Sequence, residues 1–475
     1  MKVNVVSAEP HALAYSFIAI QILILATYYP IIYWNCACLI TNSGGDEYQD
    51  DDDNVLDDDE VEIEDDEEDE DEVEIKKKKK VKNTDYGKVA TAIGNFQNRG
   101  IKVMPPDVNK SGFTFSPDVI SNSITYGLRG ITRISNSIIH QIIDNRPYKS
   151  LNDFLIKNKT NKLQTLNLIK SGAFDEVESI PREQIMKNYL LSIADKKERL
   201  TLQNMQMLID KELIPDDMEF YAKLFLFNKF LKNCKSGSNY ELNDAAINFI
   251  GNNFSVDLID NGTSINQKVW DNAYKKAMDP MRDYLKAHKD EMLKKLNDAL
   301  YNEVADKYAR GSISSWEMES INFYYHEHEL ADYQHNFDDF SLLSENPEID
   351  YSFTANHGQV INVYRTHTII GTVIDKDKVR NTITLLTPTG VVLVRIYKNQ
   401  YSIYDRQISA KDEFGKKHVI EASWFKRGTL LRVQGIRRGT DFIPKKNKSS
   451  IYPIIMKIIG IEDGHLEYQE ERATV

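Results

Sequence analysis

Carboxylates are the most concentrated chemistry-bearing groups in this chain. Residues 46–74 hold 21 Asp or Glu, and six Lys follow at 76–82. Paired carboxylates are what a two-metal phosphoryl-transfer site needs to hold its cations, and Asp-x-Asp occurs many times in the run. Charges of one sign packed this densely repel one another and stay solvated, so the run reads as a low-complexity insertion. A passive linker is the plainer role, and a DNA-mimicking competitor for a basic surface the sharper one. Asp375-Lys376-Asp377 has the same bare spacing, but it lies between two short apolar runs, where a turn is the simpler reading. His326-Glu327-His328 is not a metalloprotease pattern, which needs two His four apart on one helix face. Cys36, Cys38 and Cys234 form neither a disulfide framework nor a zinc pair, which fits a reducing compartment.

The second concentration of chemistry is cationic. Between Lys416 and Lys457 there are eleven Lys or Arg against only Glu421 and Asp441. Trp424, Phe425 and Phe442 interleave there with Lys426, Arg427, Arg437, Arg438, Lys445 and Lys446. Cations beside aromatic platforms are how single-stranded nucleic acid is held. The competing reading is a solvated basic face with Trp424 and Phe425 in the core.

The elements that must position these groups divide the chain. At 475 residues, two to four domains of about 150 residues are expected. The net charge of −13 comes from the acidic insertion, since residues 360–475 carry 20 Lys or Arg against 12 Asp or Glu. From Gly100 to Asp175, Pro105-Pro106 forces an extended entry and Gly127 and Gly130 flank a tight reversal. Ile131, Ile134, Ile138 and Ile142 then recur at helical spacing. The outline is helix, hairpin, helix, and a second helical pair ending at Gly172. Gln267–Leu300 is an amphipathic run that Pro280 should kink or split. Five short strands in 366–461, the second and third joined by Pro388-Thr389-Gly390, suggest a small OB-type barrel. Ala12–Tyr29 is apolar enough for a marginal membrane span. Gln21 within it, Pro30 after it and the lack of a basic flank favour a buried helix instead.

Taken in order, Pro105-Pro106-Asp107-Val108-Asn109, Ile124–Ile131, Leu151–Leu155 and Ser171-Gly172-Ala173-Phe174-Asp175 resemble the tandem helix-hairpin-helix region of the replicative DNA polymerase III alpha subunit (family C) of bacteria and phages. Pro10–Gln21 with Tyr29–Asn35 resembles the end of that family's fingers domain, and Trp316–Leu330 its connector. The resemblance implies a multidomain α plus all-β chain. Residues 1–42 would end the fingers as a buried helix, 43–85 would be the disordered insertion, and 86–180 the tandem hairpins. A helical connector would occupy 181–360, the OB-type barrel 361–465 and a tail 466–475.

The resemblance further implies DNA replication by a DNA-directed DNA polymerase (a nucleotidyltransferase). This chain would bind duplex and single-stranded template DNA in the cytoplasm of a bacterial host cell. It shows no palm carboxylates, so the catalytic palm with its Mg²⁺ would belong to a partner chain. No cofactor or metal is expected here, and a sliding clamp is a further partner the family allows. His11 and Tyr15 would lie near the incoming nucleotide, or else cap and pack the fingers helix. The family's first hairpin has a Gly-hydrophobic-Gly turn where this chain has Arg133-Ile134-Ser135, which puts close backbone approach to DNA in doubt. Arg129, Thr132, Arg133 and Ser135 would then act by side chain, or the hairpin would be scaffold. The alternatives to a polymerase part are a stand-alone DNA-binding accessory protein and a membrane-anchored protein.

Overall fold

The computed structural model describes residues 8–43, 86–97, 100–340, 346–411, 417–446, 453–462 and 464–473; the acidic run and its lysines lie outside the described residues. The chain forms two compact units, one made of 1–186 with 311–475 and the other of 187–310.

The larger unit begins with helices α1 (Ala8–Tyr28) and α2 (Ile31–Asn42), separated at Pro30. They share an apolar composition but not a fate. α2 buries Ile32, Asn35, Cys36 and Leu39 and packs on α3 (Tyr86–Gln97). α1 instead leaves Leu13, Phe17, Ile20 and Leu23 at least half exposed. The helix expected to be buried therefore has no cover from the described residues. No helix among the described residues is long and apolar enough to cross a membrane.

A small sheet follows, with β1 (Lys102–Met104) parallel to β3 (Ser123–Thr125) and β2 (Ser116–Asp118) antiparallel to it. Helices α4 (Asn136–Asp144), α5 (Leu151–Lys157) and α6 (Lys162–Lys170) then give the two expected helical hairpins, ended by α7 (Asp175–Glu178) and α8 (Arg182–Ile193). The periodic set read from sequence, Ile131, Ile134, Ile138 and Ile142, is buried here, as are Ile139, Phe154, Leu166 and Ile169. Phe154 lies edge-on to Tyr148 and Phe174, each with centroids 5.0 Å away. Asn161 and Gln164 close α6 with a reciprocal capping box.

The Gly172 turn is shaped by an ion cluster. Its φ is +83°, and a Cβ there would meet the Arg182 guanidinium at 2.3 Å, so only glycine fits. Arg182 donates to Asp175 at 2.6 Å and to Glu317 at 2.8 Å. Glu317 is fully buried on α15 (Ile313–Ile321) and also accepts the N–H groups of Tyr325 and His326 and the His326 ring. The pair thus fastens the hairpin region to the connector, with His326 in a structural role.

The smaller unit is mostly helical. It contains α9 (Met205–Asp210), α10 (Glu219–Asn233), α11 (Asp244–Asn253), α12 (Gln267–Ala277), α13 (Asp279–Ala287) and α14 (Lys289–Tyr308). A sheet of β4 (Lys235–Ser236), β5 (Asn239–Glu241) and β6 (Ser264–Asn266) joins them. The amphipathic run does split at Pro280, which sits in the first turn of α13 where its missing N–H costs nothing. Fully buried Trp270 donates its indole N–H to Asn228 at 2.9 Å. The connector expected over 181–360 therefore contains a unit with its own core.

After a hairpin of β7 (Ile349–Thr354) and β8 (Val360–Tyr364) comes the barrel. β9 (His367–Asp377), β10 (Thr382–Thr387) and β11 (Gly390–Arg395) form an antiparallel meander, followed by α16 (Lys398–Asp405). A hairpin of β12 (Ile408–Lys411) and β13 (Lys417–Glu421) precedes β14 (Leu430–Arg438) and β15 (Asp441–Pro444). β14 pairs antiparallel with β9, and β15 pairs with both β14 and β11, which closes five strands into an OB-type barrel. β16 (Ile455–Glu462) and β17 (His465–Gln469) extend the sheet from β14. Asp375 and Asp377 lie at the end of β9, and Asp377 accepts from the N–H groups of Val379 and Arg380, as a turn carboxylate does.

Candidate nucleic-acid interface

The first hairpin turns at Thr132–Ser135 between buried Ile131 and Ile134. Arg133 has φ +62°, the left-handed conformation that glycine adopts without penalty. The turn thus keeps a glycine-like backbone although its glycine is gone, and the Arg133 side chain is half-buried. Ser135 is the N-cap of α4, but its hydroxyl makes no cap bond and sits 3.4 Å from that of Ser137. An N-terminus left uncapped by side chain offers N–H groups and a positive dipole end to a phosphate.

The two other hairpin residues are turned inward. Thr132 is buried: its N–H donates to Ser320, its hydroxyl to Glu319, and its carbonyl accepts from Asn167. A side-chain role on DNA is corrected here to one of fastening, because every polar group of Thr132 already has a partner inside the fold. Arg129 donates to the Ser43 carbonyl at 3.0 Å and to Asn136 at 3.3 Å, with Phe113 beneath it. The second hairpin, whose loop runs from Asn158 to Asn161, presents exposed Lys159 and Lys162, which the sequence reading passed over. The signal was there in Lys157, Lys159 and Lys162 clustered around a helix start.

In the barrel the interleaved aromatics face the wrong way for bases. Trp424, Phe425 and Phe442 are within 1% of full burial and pack with Val373, Leu385 and Val433. Trp424 also donates to Glu421 at 2.6 Å, and Arg472 lies over its ring. Burial alone would raise the Glu421 carboxyl, but Trp424, the Ala473 N–H, Arg472 and Gln469 together hold it below its usual range. The stacking roles given to Trp424 and Phe442 are corrected: large rings on the inner face of a small barrel fill it.

The cations divide likewise. Arg437 lies 4.5 Å over Phe340 and donates to the carbonyls of Phe340 and Gly439. Arg427 donates to Ile374, and Lys426 is half-buried in the same loop. Arg438, Lys445 and Lys446 are exposed around the β14–β15 end.

The strand face that OB domains commonly turn to oligonucleotides is covered by the chain itself. Tyr324 meets the Thr372 hydroxyl at 2.7 Å, and His328 contacts the Leu386 carbonyl at 2.8 Å while accepting the Leu330 N–H. α3 lies so close that a Cβ on Gly94 would come within 2.7 Å of Val391. Of the two residues expected near the nucleotide, Tyr15 is 68% exposed on α1, and the His11 side chain lies outside the described residues.

A family profile described as "Helix-hairpin-helix motif" matches residues 100–185, the segment just built from α4 to α8 and its entry sheet. The chain is 39% identical, over 98% of its length, to "Probable DNA polymerase YorL" of Bacillus subtilis (strain 168) and to "DNA-directed DNA polymerase" of Bacillus phage SPbeta. "DNA polymerase III subunit alpha" of Thermus aquaticus is 37% identical over 102 residues, 20% of this chain and 8% of that one. Along nearly its whole length the chain is similar to proteins named as DNA polymerases, and over a fifth of it to a DNA polymerase III alpha subunit. It spans 35% of the length of the first two relatives. The turn reads Arg133-Ile134-Ser135, where the resemblance implies two glycines. Among the described residues no group of three His, Cys, Asp or Glu could hold a metal ion.

Proposed function

We propose that this chain is the DNA-handling, C-terminal part of a replicative DNA polymerase of the DNA polymerase III alpha type. The tandem hairpins hold duplex through α4's first turn and the Lys159–Lys162 loop, and the barrel's loop end holds single-stranded template. The palm carboxylates, with their Mg²⁺, are supplied by polymerase residues outside this sequence, and α1 packs into the fingers domain beside them. The observation behind the reading is the 39% identity running through both DNA-binding modules to relatives named as DNA polymerases. The bare apolar surface of α1 supports the partner, since a helix exposed on all sides needs cover. The chain works in the cytoplasm of the bacterial host, on DNA.

Primer extension tests it. The purified chain alone, with Mg²⁺ and all four dNTPs, is expected to extend nothing, and co-expression with the palm-bearing chain is expected to give soluble, extending complex. Deleting residues 1–42 should abolish that association while leaving DNA binding. Extension by the chain alone, or association that survives the deletion, would overturn the division of labour.

A further inference from the structure

One concavity of the larger unit belongs to neither the hairpin turns nor the barrel. It is a cleft of about 550 Å³, open to solvent, between the first turns of α8 and α15 and the His326–Glu327 segment. Ile313 and Trp316 give it an apolar wall, and Glu183 and Glu327 line it with exposed carboxylates. Nearby Asp175, Glu317 and Glu319 each hold a cation. Glu183 and Glu327 hold none among the described residues, and neither side chain has a hydrogen-bond partner there.

The same cleft is lined by an imidazole whose hydrogen is fixed. Glu317 is buried and paired with Arg182 at 2.8 Å, so it is a carboxylate that can only accept. His326 Nδ1, 2.7 Å from Glu317, therefore donates, which leaves the neutral ring's lone pair on Nε2. The His326 side chain is 51% exposed, and Nε2 has no partner among the described residues. Thus Nδ1 fastens the fold while Nε2 is left as a third acceptor beside the two carboxylates.

This set selects a ligand class. Two unpaired carboxylates repel a phosphate, which sets the cleft apart from the DNA track. A guanidinium presents five N–H donors in a planar fork on an apolar stem, and it is more weakly hydrated than an ammonium. We propose that the cleft seats an arginine side chain of a partner protein. The guanidinium lies between Glu183 and Glu327 with His326 Nε2 accepting a third hydrogen bond, and the stem packs on Ile313 and Trp316. The cleft is larger than one side chain, which leaves room for the partner's neighbouring residues.

The probe is N-acetyl-arginine amide, titrated into the full chain. The His326 ring C–H signal, assigned by its loss in His326→Gln, is followed by NMR. A saturable shift is expected in the parent. Binding is expected to weaken roughly tenfold or more in Glu183→Gln/Glu327→Gln, since charge-assisted hydrogen bonds are lost. The citrulline analogue, alike in shape but uncharged, should give no shift. Glu327→Lys, which plants an ammonium in the cleft, should abolish the shift and is a second variant at an exposed position. No saturable shift in the parent, an equal shift with the citrulline analogue, or unchanged affinity in the variants would overturn the proposal and leave the glutamates as solvated charges. Equal or tighter binding of N-acetyl-lysine amide would give the cleft to an ammonium, and a shift on adding an oligonucleotide would give it to DNA; either overturns the arginine assignment. Oligonucleotide binding measured on the same samples reads the DNA function separately, so either reading can fail without the other.

Discussion

In the hairpin region most of the arginines and Lys170 are turned inward, while Lys159 and Lys162 stay exposed. Arg182 meets Asp175 and Glu317, Lys170 meets Glu319, Arg146 donates to the Val108 carbonyl and Arg129 to that of Ser43. In the barrel, Arg472 and Arg437 do the same, but Arg438, Lys445 and Lys446 stand in water. The two regions teach that counting basic residues does not count phosphate contacts. A guanidinium that already holds carbonyls or carboxylates organises the fold, and only a cation without that task is available to release counterions from DNA.

The inward set can be broken most severely at its centre. Arg182→Ala would leave Glu317 fully buried without its ion partner, and a loss of about 3–5 kcal/mol in urea unfolding is expected. A loss below about 1 kcal/mol would make the cluster incidental. In the barrel, Phe442→Ala should cost about 3–5 kcal/mol of stability by opening a cavity. Its DNA salt slope should not change, whereas unchanged stability with weakened DNA binding would restore Phe442 to the surface.

The connection between connector and barrel sharpens the same contrast through pH. Burial lowers the His328 pKa from 6.5 to about 4, so the folded state keeps the ring neutral. A depressed folded pKa contributes stability that is complete above about 6.5 and lost as pH falls towards 4, because the unfolded chain takes the proton first. The full effect is on the order of 3 kcal/mol. Unfolding midpoints measured from pH 7 to 4.5 should fall in the parent and fall less steeply in His328→Gln. Smallest is the Arg133 turn. Arg133→Gly removes a side chain from a left-handed position and should raise stability by about 0.5–1 kcal/mol in thermal unfolding.

Much of this was legible because apolar periodicity is loud. Ile131 to Ile142 at helical spacing and the alternating runs from Ile369 to Val394 gave the hairpins and the meander directly. The β7–β8 hairpin was missed because a helical connector was extended to residue 360, over Tyr351 and Phe353, whose alternation with Ser352 is a strand signal. Phe442 was misplaced although strand alternation sets it beside Pro444 on the buried side and opposite Asp441. Trp424 could not be placed from sequence, since its orientation is fixed by Glu421 on β13 and Arg472 near the chain's end. The inward cations were illegible for the same reason: their partners, such as Glu317 for Arg182, are distant in sequence.

The contrast between engaged and free cations is tested most directly by salt slopes of single-stranded DNA binding, measured by anisotropy with the full chain. Changing Lys445 and Lys446 together to Ala should shallow the slope by roughly one to two units, as lost phosphate contacts do. Arg437→Ala, whose guanidinium is held by Phe340, should leave the slope where it was. A slope unmoved by the double lysine change, or shallowed by Arg437→Ala alone, would contradict the account.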